Sequence, residues 1–307
     1  MRQSPVIKLF VSAHRPAAFP SGGSILPIQV GAENASELFE NTLHDNEGEN
    51  ISALNPMYCE LTAQYWAWKN ADADYYGFCH YRRYFDFTDV EHRQNDYGEI
   101  IDTYIDERTI AEYGLDDESI ARAVDGWDVI TSPRNDVRRI GGFGSLKEHW
   151  SADAHLRLSD LRHMYDILCA RHPDYRQDAD TVLNGREAAF CNMFVMRKAI
   201  FFAYNEWLFP LLGEFVDTSD FSTADVQTLR TVGHLSERLL NVFIAHQQRT
   251  GAQWRVKELQ CVHFLHPEPA EELAPLDVNP RFTVPVVFAA DDAYVPMLTT
   301  TIQSRLL

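Results

Sequence analysis

Short apolar runs alternate with longer stretches of mixed polarity along most of this chain, a pattern that places strands between helices. Val6–Ser12 (VIKLFVS), Ile25–Val30 (ILPIQV), Tyr75–Cys79 (YYGFC), Trp127–Thr131 (WDVIT), Phe190–Met196 (FCNMFVM) and Val256–Phe264 are predicted strands. The spacing of Leu61, Tyr65, Trp66 and Trp68 predicts one helix entered at Asn55-Pro56 and closed by Lys69-Asn70. Further helices are expected at Ile105–Tyr113, Glu118–Val124, Ser159–Arg171 with Ser159 as N-cap, and Arg197–Phe215, interrupted or ended near Pro210. Leu235–Gln247 reads as an apolar helix carrying Glu237 and Arg238 in its first turn. Glu40–Asn50 reads as an acidic loop, Asp86–Asp125 as a solvated acidic helical insertion, and Gly141-Gly142-Phe143-Gly144 as a flexible flap. Helix–strand steps of this kind build an α/β fold with a mostly parallel sheet.

The stretch Asn55–Phe85 is the most informative, because its strand runs into His80-Tyr81-Arg82-Arg83-Tyr84. The formal net charge is −18. That balance argues against a general nucleic-acid binder and against electrostatic adhesion to anionic lipid, so a cluster of arginines points to a local anion pocket. The five cysteines are scattered without paired metal-ligand spacing and sit in apolar runs, as reduced, buried thiols do in a cytoplasmic protein. No secretory h-region opens the chain and no apolar run reaches 18 residues, so no transmembrane segment is expected.

Guanidinium forks match phosphate oxygens, which makes His80, Arg82 and Arg83 candidates for a diphosphate, with Tyr81 among them. The competing reading is a surface cluster paired with Asp86, Asp89 or Glu91. Strand alternation puts His80 and Arg82 on one side and Arg83 on the other, unless the strand has already ended. Glu237 is either a general base for a hydroxyl or a helix-start carboxylate paired with Arg238 or Arg230. His14, at the carboxyl end of the first strand, is a nucleotide contact or a plain loop histidine. Asn192 interrupts an apolar strand as a ligand contact or a satisfied buried amide, and Trp66 with Arg238 are candidates for the acceptor side. Trp68, Trp150 and Trp207 read as core or wall. No serine-hydrolase elbow, zinc-protease motif, calcium loop or glycine-rich phosphate loop is present, and Asp291-Asp292 alone is weak evidence for a metal. An acidic, proline-rich linker at 267–282 separates a domain at 1–266 from a fresh strand–turn–helix pattern at 283–307, too short to bury a core by itself.

ISALNPMYCELTAQYWAWKN, DYYGFCHYRRYF, ILPIQVGA, NMFVMRKAIFFAYNEWLFPLL and HLSERLLNVFIAH resemble a bacterial glycosyltransferase family catalogued as domain of unknown function 4422, over about residues 5 to 265. The tail PVVFAADDAYVPMLTTTIQSRL resembles the opening of glycosyltransferase family 8, in which the residues matching Ala290, Asp291 and Tyr294 contact uridine. After Tyr294 the 307 residues hold neither the Asp-x-Asp nor the later histidine that family 8 needs. The resemblance implies a Rossmann-like glycosyltransferase A-type fold with helical insertions. The implied activity is transfer of a hexose, such as galactose in pyranose or furanose form, from a UDP-sugar to a capsular, exopolysaccharide or lipopolysaccharide acceptor that is a glycan or lipid-linked glycan. Enzymes of this fold usually carry a metal-binding Asp-x-Asp where HYRR stands here. The resemblance therefore implies a site that needs no metal or other cofactor, with His80, Arg82 and Arg83 at the diphosphate and Glu237 as base. It also implies a cytoplasmic protein, with peripheral contact at the inner membrane as a further expectation. A different class of reading stays open: a silent nucleotide-sugar or glycan-binding module that supports a family 8 partner domain.

Overall fold

The computed structural model describes residues 5–268, and the expectations for the family 8-like tail and all but the first two residues of the linker lie outside them. In chain order the strands are β1 Ile7–Ala13, β2 Ile25–Gln29, β3 Leu43–His44, β4 Tyr75–His80, β5 Arg83–Phe85 and β6 Glu99–Tyr104. They continue with β7 Val129–Thr131, β8 Asn135–Asp136, β9 Glu187–Ala188, β10 Phe194–Arg197, β11 Val256–Glu258 and β12 Cys261–His266. The central sheet runs β11-β7-β10-β4-β1-β2-β3. β1 pairs in parallel with both β2 and β4, while β10 is antiparallel to β4 and β7. A second arm leaves β4 through β5 and β12 to β6, and β8 with β9 forms a separate two-stranded ladder.

Period-two alternation on β1 and β4 explains why both faces of the sheet are covered. Phe10, Tyr76 and Phe78 face a core with Trp66, Phe201, Tyr204 and Phe243, supplied by the helices Leu61–Asn70, Lys198–Thr218 and Thr231–Arg249. Leu9, Val11, Tyr75 and Cys79 face the other core, with Tyr84, Phe85 and Phe264. Gly77 allows the close approach of β1 to β4, since a Cβ there would lie 2.2 Å from Leu9 Cδ2. From β1 the chain lays β2 and β3 on one side and β4 on the other. That reversal of order makes the carboxyl ends of β1 and β4 the crevice where an open α/β sheet collects ligands.

Several elements depart from the sequence pattern. The helix expected over Asn55–Asn70 is two pieces, Asn55–Tyr58 and Leu61–Asn70, split at Cys59, whose φ of 51° and ψ of −130° are not helical. Lys198–Thr218 passes through Pro210 unbroken. Both Pro210 and Glu206, whose carbonyl loses its donor, are exposed, which leaves that carbonyl open to solvent. Ser159 is inside the helix Leu158–Arg171 and does not cap it: its hydroxyl reaches Asp160. Val256–Phe264 is two strands with different partners, and the acidic insertion contributes β6 beside β12 as well as helices. The strand expected at Phe190 begins only at Phe194, because Cys191 and Asn192 have left-handed φ of 72° and 49°. The helix expected from Leu235 starts at Thr231, so Glu237 lies in its second turn, where the dipole argument for a first-turn carboxylate no longer holds.

Candidate functional site

β4 ends at His80, Tyr81 and Arg82 form a two-residue turn, and Arg83 begins β5 opposite His80. The cationic tip is therefore a hairpin turn, and strand alternation does not distribute its side chains. Ser12 is in register with His80 across β1 and β4, which brings His14 to the same sheet edge. His80 Nε2 lies 2.7 Å from the carbonyl oxygen of Cys191. A carbonyl only accepts, so Nε2 carries the proton and Nδ1 is left for another partner. Tyr81 is buried beneath the tip, with the His14 ring edge-on at 5.1 Å and Arg15 Nε donating to its hydroxyl at 3.0 Å.

Two arginines at this edge differ in what answers their charge. Arg83 Nε donates to Glu99 Oε1 at 2.7 Å, and His263 Nδ1 sits 3.3 Å from Glu99 Oε2. Asp86, named in the surface-pair reading, instead accepts from Thr88 and faces His92. Burial alone raises the Glu99 pKa, but the hydrogen bonds from His263 and Arg83 outweigh it and hold it at about 2. Arg82 has no carboxylate partner among the described residues; its guanidinium lies 5.4 Å from the Tyr81 ring centre, and its Nε is buried without an acceptor. A buried N–H left unpaired costs about 1–3 kcal/mol, a penalty that a bound anion removes.

Arg82 opens into a cleft of about 550 Å³ that also takes in His14, His80, Arg230, Glu60 and Glu237. The His14 pKa is lowered by burial first, then by Arg15, Arg82, Arg230 and His80. After burial, each of these causes is a neighbouring cation, so positive charge is concentrated around this imidazole. Arg230 caps the helix Thr231–Arg249, whose first turn supplies Gly233 and His234 to the same wall. Among the described residues no three His, Cys, Asp or Glu side chains converge as a metal site requires.

A second cleft of about 670 Å³ adjoins the first, and the two share Arg83, Cys191, His234 and Glu237. Glu237 Oε1 accepts from the Cys191 backbone N–H at 3.1 Å, and Oε2 accepts from Arg238 at 3.3 Å. Arg238 is buried over the Phe190 ring at 4.7 Å and lines the second cleft. Of the four non-glycine residues with positive φ among the described residues, Cys59, Cys191 and Asn192 surround this junction, and strained backbone of this kind gathers at functional sites. Burial pushes the Cys59 and Cys191 thiols up to about 12, so neither is a nucleophile at neutral pH.

Two sequence candidates fall elsewhere. Asn192 lines neither cleft: its amide donates to Glu60 at 2.6 Å and to the Gly233 carbonyl, and its oxygen accepts from Ser236. It ties the strand β10 region to the helix wall as a satisfied buried amide. Trp66 is in the core with its indole donating to the Glu47 carbonyl, away from both clefts, because its helical face turns toward β1. Conversely, Arg230, Glu60 and His234 belong to the cleft without any sequence signal of their own. Their convergence comes from packing of the late helix against the segment at Cys59, where Gly233 meets Cys59 Sγ closely.

A doubly covered α/β sheet with a cationic crevice at its switch point defines the class as a Rossmann-like fold. The chain belongs to the family described as domain of unknown function (DUF4422), whose model matches residues 8–248. It is similar to a solved structure titled WbbM bifunctional glycosyltransferase, in its apo state, at 35% identity with a TM-score of 0.82. That match covers 85% of this chain and 46% of the other, so the chain spans under half of that protein. No curated protein matches it. Among the described residues no helix is long and apolar enough to cross a membrane.

Proposed function

We propose that this chain is a glycosyltransferase that moves a hexosyl unit from a UDP-sugar to a glycan or lipid-linked glycan acceptor. The observation that carries the reading is the position of Glu237 on the border between a cationic cleft and a second, adjoining cleft. The similarity to a bifunctional glycosyltransferase supports the reaction class.

In this proposal the diphosphate lies at Arg82, Arg230, His14 and His80. The uncompensated Arg82 guanidinium meets the charge that builds on the leaving UDP, a role fixed cations perform without a metal ion. The Cys191 N–H and Arg238 hold the Glu237 carboxylate at the border. Glu237 removes the proton from an acceptor hydroxyl as its oxygen attacks the anomeric carbon. The bond from that carbon to the phosphate oxygen breaks, and UDP departs with the electron pair, inverting the anomeric centre.

A panel of UDP-sugars offered with sugar acceptors, read by mass spectrometry, tests the assignment. A glycoside product and free UDP are expected, unaffected by EDTA. Glu237→Gln should lower kcat/KM by about 10² to 10⁴ while UDP still binds. Binding of UDP without turnover of any donor would favour the silent-module reading. Loss of activity in EDTA would overturn the metal-independent part.

A further inference from the structure

The second cleft differs from the first in charge and surface. Its cations are already answered: Arg83 by Glu99, and Arg238 by Glu237. The His149 pKa is lowered, chiefly by burial and then by Arg238, so this imidazole is neutral at pH 7. An anion entering here meets arginines that are already paired with carboxylates. The surface is instead aromatic, with Phe143, His149 and Phe190 in contiguous contact at centroid distances of 5.4 and 5.6 Å.

Tyr97 adds a ring at the mouth of the cleft that is 57% exposed. The loop that carries it is tied down. Its N–H donates to Asn95 Oδ1 at 2.9 Å, and its carbonyl accepts from the Asn135 amide at 2.7 Å. The next residue, Gly98, has φ of 71° and packs against the Asn135 side chain, so the loop is pinned on both sides of the ring. A backbone held this firmly fixes the base from which the exposed aromatic ring can stack on a ligand. Arg238 also keeps a buried Nε–H without an acceptor. A sugar hydroxyl oxygen is an acceptor of the right kind.

We propose that this cleft is the acceptor site and that it takes an uncharged saccharide, its ring stacked on the Tyr97–Phe143 side. This deepens the transferase reading and rests on it for the direction of one hydroxyl toward Glu237, while saccharide binding itself does not depend on turnover. The division of labour is then by charge: the anionic donor goes to the cleft with unspent cations, and the neutral acceptor goes to the cleft without them.

Saturation-transfer NMR on the full chain with UDP present, using methyl β-galactopyranoside and methyl β-glucopyranoside as probes, tests it. Transfer to the ring protons is expected, weakened about fivefold in affinity by Tyr97→Ala or Phe143→Ala. Tyr97 is exposed, so its variant keeps the test sound if Phe143→Ala does not fold. No transfer from either glycoside, or transfer indifferent to Tyr97→Ala, would overturn the assignment. Saccharide binding with no product from any UDP-sugar would instead sink the transferase reading and leave this site standing.

Discussion

His14 shows how a single residue at this edge reports on its surroundings. Burial and four neighbouring cationic groups lower its pKa in the free protein. A diphosphate placed among the same groups reverses the largest electrostatic influences, and the imidazole then takes up a proton. The sign follows directly: UDP affinity should rise as pH falls through the bound-state pKa, and level off below the free-state value. Calorimetry in buffers of different ionisation enthalpy should show proton uptake on UDP binding near neutrality, and His14→Gln should remove it. Binding without any proton exchange would separate His14 from the phosphate. His14, His80 and Arg82 were legible in the sequence because each stands at the end of an apolar run, where a sheet presents its ligands. Arg230, Glu60 and His234 were not, since nothing in their local pattern says which helix turn will lie against Cys59.

At the scale of elements, the site depends on β1 and β4 lying side by side with their carboxyl ends level. Both strands were readable, as was the helix before β4, but the break at Cys59 was not. Leu61, Tyr65 and Trp66 keep helical spacing on one side of the break, and periodicity alone carries no mark of the non-helical turn that precedes them. Trp66 makes the related point about faces: apolar spacing shows that a side chain is buried, not which side of the sheet it is buried on. Pro210 misled in the opposite direction, because its helix places that position toward water. Gly77 sets the β1–β4 spacing. Gly77→Ala should overpack against Leu9 and cost about 1–3 kcal/mol, read as a lowered denaturation midpoint with an unchanged m-value. An unchanged midpoint would show that β1 can withdraw without loss.

For the whole molecule, the sequence pattern yielded the α/β class with a mostly parallel sheet, while the second arm of the sheet was hidden in an insertion that reads as acidic and helical. Its strand β6 brings Glu99 to Arg83 and His263, joining β5, β6 and β12. Because the Glu99 pKa is held at about 2, below an unfolded carboxyl near 4.3, its contribution is fully present above the unfolded value. It is lost as pH falls through the folded value. Chemical denaturation between roughly pH 5 and 2 should show a steeper stability loss in the native chain than in Glu99→Gln. Equal slopes would remove Glu99 from the acid response.

The net charge of −18 repels an anionic donor at long range, so binding depends on the local, uncompensated cations of one cleft. Arg82 is the most exacting probe of that claim, being without a carboxylate partner among the described residues. Calorimetric titration of UDP and of uridine into the native chain and into Arg82→Ala separates phosphate recognition from base recognition. UDP affinity should fall about tenfold or more in the variant, equivalent to at least ~1.4 kcal/mol, with uridine affinity unchanged and the variant still folded. Equal UDP affinity in the two proteins would contradict the account.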